Sequence, residues 1–326
     1  MAEWLYEAGI GENRAILVED GAIVEAAIEL PGAVRAGAVC PARLTTILIP
    51  RRRGLAVLDH GEEALIEPLP KILTEGAAFH AEILREAVAE PGRPKRAKAR
   101  ATDAPLHPGP TLHDRIGAPE PLPPHGPDRF EASGWSELLE EAARGEIAFP
   151  GGALRMSLTP AMTLFDVDGT LDPAALAVAG AAAASRAIRR LGITGSIGID
   201  LPTAGGRADR QAAAAAVDRI LPQPFERTAV NGFGFLQIVR RRTRASIPEL
   251  IRADPAGAAA RALARRAGRI DGRGPVTLSA APPVIARIEA QPEWIAALER
   301  QAGAPIVLRA EPALAISAGH VHRAQS

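Results

Sequence analysis

Two short apolar segments, each carrying an aspartate near its end and joined by a helical stretch, constrain this chain more than any other feature. Met162–Val167 is strand-like and contains Asp166, and Ser196–Leu201 is strand-like and contains Asp200. Between them Pro173–Leu191 has helical character, with Asp172 as N-cap and Pro173 at the first helical position. Gly192 and Gly195 end that helix. Strand, helix and strand over so short a span form a βαβ unit, whose crossover is expected to be right-handed. Functional groups in such units gather at the carboxyl ends of the strands, where Asp166 and Asp200 lie.

The chain before this unit reads differently. Arg14–Glu19 and Ala22–Leu30 flank Asp20–Gly21, a hairpin signal. Strand-like runs follow at Val39–Ile49, Gly54–Leu58, Glu63–Ile66 and Ala78–Val88, spaced for a small five-stranded barrel resembling an OB-fold. Pro105, Pro108, Pro110, Pro119, Pro121, Pro123, Pro124 and Pro127 then exclude a helix or central strand and mark a linker. A short helix is expected over Ser136–Arg144, and a hairpin turning at Pro150–Gly152. Beyond the βαβ unit we expect a helix at Ala208–Leu221 and a strand at Thr228–Val239. Helix over about 245–273, strand at Pro275–Ser279, helix within Pro283–Ala302 and strands at Pro305–Ala310 and Ala313–Ser317 complete the chain. The fold class is α/β plus a β-barrel. Its expected divisions are an N-terminal hairpin (1–36), the barrel (37–102), a Pro-rich linker (103–134), an α/β domain (135–245) and a small α+β unit (246–326).

Composition narrows the function classes. Lys and Arg number 38 against 38 Asp and Glu, so there is no overall basic coat, although local patches remain. Cys40 is the sole cysteine, which excludes an intrachain disulfide and a cysteine zinc cluster. Met1–Tyr6 shows no signal-peptide pattern and no apolar run is long enough to span a bilayer, so the expectation is a cytoplasmic protein without membrane contact.

Two carboxylates on neighbouring strands lie about 5 Å apart and repel unless they share a cation. Mg²⁺ suits them, because it takes carboxylate oxygens and keeps waters for a phosphate substrate. Asp168 points to the same end and is a candidate further ligand or orienter. Ordinary strand-end carboxylates are the blander reading. Phe165-Asp166-Val167-Asp168-Gly169-Thr170-Leu171 also matches the first motif of haloacid dehalogenase-type phosphatases. Those enzymes need a phosphate-holding cation and a later acidic pair. No lysine follows Asp168, and Asp254 and Asp271 stand singly.

Taken over its length, the chain resembles the ribonuclease E/G family. Gly9-Ile10-Gly11-Glu12-Asn13-Arg14-Ala15 through Glu29-Leu30 looks like that family's first hairpin, and Gly37–Thr102 looks like its inserted S1 domain. Glu90-Pro91 followed by Lys95-Arg96-Ala97-Lys98 is similar to the basic turn closing that domain. Thr159–Asp168 resembles the family's Thr-Glu-Ala-Leu…Ile-Asp-Val-Asn, Ile199-Asp200-Leu201 its Ile-Asp-Phe-Ile-Asp, and Asn231–Gln237 its Ser-Arg-Phe-Gly-Leu-Leu-Glu. The resemblance implies a Mg²⁺-dependent endoribonuclease acting on single-stranded RNA. Asp166 and Asp200 would bind the metal, and the basic turn with Lys95, Arg96 and Lys98 would contact RNA. From the residues alone, Asp168 is expected to assist at the metal and Arg240, Arg241 and Arg242 to add phosphate contacts. The implied mechanism uses the metal to hold the scissile phosphate and activate a water.

The departures are specific. Asp168 stands where the family has Asn, Thr203 replaces a second acid, and Gly232 stands where the family has Arg. The base-stacking aromatics of the S1 domain fall at Val57 and Leu65. The Pro-rich segment occupies the place of the 5′-phosphate sensor, and the zinc-linking cysteine pair is absent. These losses imply slow or weakly binding nuclease activity, or none. An active endoribonuclease, a non-catalytic RNA-binding relative and a phosphatase using Asp166 and Asp168 are therefore the three expectations, with RNA and a homo-oligomer as expected partners. Arg51-Arg52-Arg53 and Arg240–Arg244 read as phosphate contacts or as a solvated surface. His320 and His322 alternate near the terminus, where solvated strand positions are the simpler reading.

Overall fold

The computed structural model describes residues 2–90, 94–203 and 206–323. Pro91, part of the basic turn singled out above, lies outside them. The chain is mixed α/β and contains a closed five-stranded β-barrel.

The N-terminal unit is a three-stranded antiparallel sheet, not a lone hairpin: β1 (Glu3–Ala8), β2 (Asn13–Glu19) and β3 (Ala22–Glu29). The turn has two residues, Asp20 (φ 50°) and Gly21 (φ 79°), both left-handed as a hairpin of this length requires. Strand β1 carries the continuous apolar run Trp4-Leu5-Tyr6, which lacks the alternation that marks a half-buried strand.

The barrel follows: β4 (Val39–Ile49), β5 (Arg53–Leu58), β6 (Glu63–Ile66), β7 (Ala78–Arg85) and β8 (Ala97–Thr102). It closes in the order β4-β5-β6-β8-β7, with β6 and β8 parallel. Alternate residues fill it, Ala42, Leu44, Ala56, Leu58, Ala64, Ile66, Ala81, Ile83, Ala97 and Ala99. Mixing alanine with larger aliphatics fits the taper of so small a barrel. On its outer surface Glu67 accepts from Arg53 and Lys98, and these bonds hold its carboxyl down at about 2. Because the folded value is depressed, the stabilisation is complete above the ordinary glutamate range and fades as pH falls from about 4.5 toward 2. Glu67→Gln is expected to flatten the pH dependence of the melting temperature in that window and leave the trend above pH 5 unchanged.

The Pro-rich segment is irregular but pinned. It contains two short helices, α1 (Leu112–Arg115) and α2 (Arg129–Ala132), whose Leu112 and Phe130 are buried. Leu122 N–H donates to the Tyr6 carbonyl at 2.8 Å, holding the prolines against β1.

Next come α3 (Trp135–Arg144), β9 (Glu146–Phe149), β10 (Gly152–Leu158), β11 (Thr163–Gly169), α4 (Pro173–Arg190), β12 (Gly195–Asp200), α5 (Arg207–Ile220), β13 (Glu226–Arg227) and β14 (Phe235–Arg240). The six strands form one sheet in the order β13-β14-β12-β11-β10-β9. Strands β11 and β12 are its parallel pair, and the other neighbours run antiparallel. Asp172 caps α4, accepting from Ala174 and Ala175. Helix α4 approaches β11 so closely at Gly180 that a Cβ there would stand 2.4 Å from Val167. That contact turns Phe165 and Val167 inward and leaves Leu164, Asp166 and Asp168 on the opposite face of β11. The same core includes Leu5, Ile16, Ile23 and Ala26 of the first sheet.

The strand expected over Thr228–Val239 is broken. Its middle, Asn231–Gly234, is a turn between β13 and β14, made by an Asn-Gly pair and a second glycine.

The remainder is α6 (Ile247–Ala253), α7 (Pro255–Gly268), β15 (Val276–Ala280), α8 (Pro282–Glu289), α9 (Pro292–Ala302), β16 (Ile306–Ala310) and β17 (His320–Arg323). Pro255 splits the helix expected over about 245–273, and Pro292 divides the stretch expected to hold one helix or more, because proline starts a helix readily but cannot continue one. The last strand is not Ala313–Ser317, which turns after Pro312, but His320–Arg323, antiparallel to β15. Among the described residues no helix is long and apolar enough to cross a membrane.

Candidate metal centre

Parallel pairing of β11 with β12 sets Asp166 in register with Asp200. Register partners on adjacent parallel strands point to the same face, with about 5 Å between strands. The two carboxylates are therefore neighbours by backbone geometry alone. Asp200 is the last residue of β12, but Asp166 is not at the end of its strand, since β11 continues to Gly169 against β10. Asp168 shares the face but lies two residues further, roughly 7 Å along the strand. Among the described residues no three His, Cys, Asp or Glu side chains are grouped to hold a metal ion. Asp168 is therefore not grouped with Asp166 and Asp200 as a third ligand.

The registers extend this row across the sheet as Glu146, Arg155, Asp166, Asp200 and Phe235. Arg155 directly opposes Asp166 and is exposed, which puts one cation beside the pair. The row runs over an open face. Sequence reasoning passed over Arg155 because its relation to Asp166 depends on the β10–β11 register.

Beyond Asp200 the chain is braced by the Asn231–Gly234 turn. The Asn231 side-chain oxygen accepts from the backbone N–H of Phe233 and of Phe235, at 2.9 and 3.0 Å. Leu201 N–H donates to the Gly234 carbonyl, and Gly234 (φ 92°) presses so close to Leu201 that a Cβ would lie 2.2 Å from its oxygen. Phe233, at the tip, is 85% exposed.

The basic residues expected to contact RNA divide into two groups. On the barrel, Lys95 pairs with Glu90 at 2.6 Å, Arg96 with Glu63 at 2.7 Å and Lys98 with Glu67 at 2.9 Å. These pairs are partly exposed and screened by solvent, so a phosphate can compete with the carboxylate for each cation. After β14 the residues are mostly structural. Arg240 donates to the Ile193 carbonyl, and burial lowers its pKa. Arg242 bridges Glu249 of α6 and Glu90 of the barrel, while Arg241 is exposed. Arg242 therefore holds two units together, and Arg241 is the member of the trio presented to solvent. Val57 and Leu65 sit half-buried on the barrel's outer surface.

A cavity of about 780 Å³ lies elsewhere. It runs between α3 and α7 with Glu12, Arg261 and Arg265 among its lining residues, and it contains none of the three aspartates. His320 and His322 are exposed on β17 with rings stacked at 5.9 Å. Burial, with Asp59 and Glu62 nearby, raises the Cys40 thiol to about 11, which keeps it protonated and unreactive at neutral pH.

No protein-family model and no curated protein sequence matches the chain.

Proposed function

We propose that this protein is a Mg²⁺-dependent endoribonuclease of the ribonuclease E/G type, acting on unpaired RNA. The observation that carries the reading is the register of half-buried Asp166 with exposed Asp200 on the sheet face opposite α4. Two carboxylates fit Mg²⁺ because they leave coordination positions for water and a phosphate oxygen. A bound Mg²⁺ there would neutralise charge on the phosphodiester and lower the pKa of a water. Asp166 and Asp200 would hold the ion, Asp168 would orient water, and Arg155 would face the phosphate. An open face admits a polymer passing across it, whereas a small phosphate ester is better served by an enclosed pocket. This favours RNA over the phosphatase alternative. The closed barrel supports the resemblance to an S1 domain, and its ion-paired Lys95, Arg96 and Lys98 supply exchangeable phosphate contacts.

One incubation tests the reading. Unpaired and structured RNA with Mg²⁺ should yield shorter products on a gel, faster from the unpaired substrate, and no products in chelator. Intact RNA with retained binding would assign the chain instead to a non-catalytic RNA-binding role. Hydrolysis of an aryl phosphate that Asp166→Asn abolishes would replace the nuclease reading with the phosphatase one.

A further inference from the structure

Immediately beyond the carboxylate pair, the chain builds a second surface that the sequence did not announce. Helix α5 begins at Arg207, seven residues after Asp200, and a cleft of about 390 Å³ opens between this helix and the segment leading into β14. Arg207, Arg210, Gln211, Arg227, Ala229 and Val230 line it. Its cations differ in availability. Arg227 is committed, donating from Nε and Nη2 to Asp218 and from Nη1 to the Thr228 carbonyl. Asp209, the nearest carboxylate on the helix, turns back to accept from the Gly206 N–H and caps the helix. Arg207 and Arg210, one turn apart on α5, therefore face the cleft with the neighbouring acids already engaged.

Three residues after Val230 stands Phe233. A phenyl ring exposed to this degree forfeits the stabilisation that burial would give it. Nevertheless the turn carrying it is fixed by the Asn231 oxygen and by the Gly234–Leu201 contact, so the ring stands on ordered backbone. Register links this turn to the carboxylate pair, since Asp200 opposes Phe235, two residues beyond Phe233. Cations that follow a phosphate backbone beside an aromatic that stacks on bases are the combination by which proteins hold single-stranded nucleic acid.

We propose that Arg207 and Arg210 hold backbone phosphates and Phe233 stacks a base of an unpaired RNA strand as it leaves the Asp166–Asp200 pair over the end of β12. The inference rests on the nuclease reading for the direction of the strand, and it supplies the stacking contact that Val57 and Leu65 cannot make on the barrel.

The two contacts have separable signatures. Binding of a fluorescent unpaired oligoribonucleotide to the full chain is measured by anisotropy, in chelator, over a series of salt concentrations. Arg207→Gln with Arg210→Gln should make the slope of log affinity against log salt shallower by about 1.4, at about 0.7 per phosphate contact on a single strand. Arg207→Lys with Arg210→Lys should restore it. Phe233→Ala should weaken binding about tenfold and leave the slope unchanged. Unchanged affinity and slope in all three variants, each with the wild-type circular dichroism spectrum and melting temperature, would overturn the proposal. If the wild type still cuts RNA with Mg²⁺ in that case, only this track is discarded and the nuclease reading stands. The predicted slopes in a chain that cleaves nothing would uphold the track and remove the nuclease.

Discussion

Glu12→Gln is expected to destabilise the folded chain by about 3–5 kcal/mol, the range seen when one partner of a buried ion pair is removed. Glu12 is 2% exposed and lies in the segment joining β1 to β2. Its two carboxylate oxygens are held separately by Arg261, at 2.9 Å, and by Arg265, both on α7. Neutralising Glu12 would leave two largely buried guanidinium groups without the carboxylate that pairs with both. Next to it Arg14, 1% exposed, pairs with Glu7 at 3.0 Å and stacks over the Phe130 ring at 4.0 Å. Glu7 in turn receives Arg269, just beyond α7. These pairs join the first thirty residues to a helix more than 240 positions away, so the loss should appear as one cooperative shift in a urea titration. The exposed Glu140–Arg144 pair provides the control: Glu140→Gln should cost no more than about 0.3–0.5 kcal/mol, as for other surface pairs one helical turn apart. Equal effects from the two substitutions would mean that burial does not set the strength of the Glu12 cluster.

The second large effect is on activity. On the proposed function, Asp200→Asn should lower Mg²⁺-dependent RNA cleavage by about a hundredfold or more, because it would remove one of the two carboxylates proposed to hold the ion. The fold should be unaffected, since Asp200 is exposed at the end of β12 and its backbone pairing with Phe235 does not involve the carboxylate. Without metal the variant should be as stable as the wild type or slightly more so. Two like charges about 5 Å apart near water repel by about 1 kcal/mol, and the substitution relieves that repulsion. Asp168→Asn should have the milder effect, as Asp168 lies further along the strand. A variant that loses activity and also unfolds earlier would point to a structural role for Asp200.

The parts of the fold that the sequence announced are those with local signals. Asp20-Gly21 set the first hairpin, Asp172-Pro173 set the start of α4, and the spacing of strand-like runs set the barrel. Residues that act through pairing were harder to read. The juxtaposition of Asp166 and Asp200 was legible because each sits in a short apolar strand of one βαβ unit. Arg155 was missed because antiparallel register with β11, not chain proximity, brings it to Asp166. The Asn231–Gly234 turn was hidden within an apolar stretch that reads as one strand, and with it Phe233. Arg207 and Arg210 look in the sequence like ordinary solvated helix positions, and only the cleft against β13 sets them apart. Conversely, the Arg240–Arg242 run promised a continuous basic patch. The fold spends Arg240 on a backbone carbonyl and Arg242 on two glutamates, leaving Arg241 in solvent.

The central claim, a divalent ion held between Asp166 and Asp200, is tested most directly by titrating the metal-free chain with Mg²⁺ in a calorimeter, alongside the Asp166→Asn/Asp200→Asn double variant. One ion per chain for the wild type and no heat of binding for the double variant, with identical circular dichroism spectra, is the result expected. Binding of equal stoichiometry and affinity in both proteins would place the ion elsewhere and contradict the account.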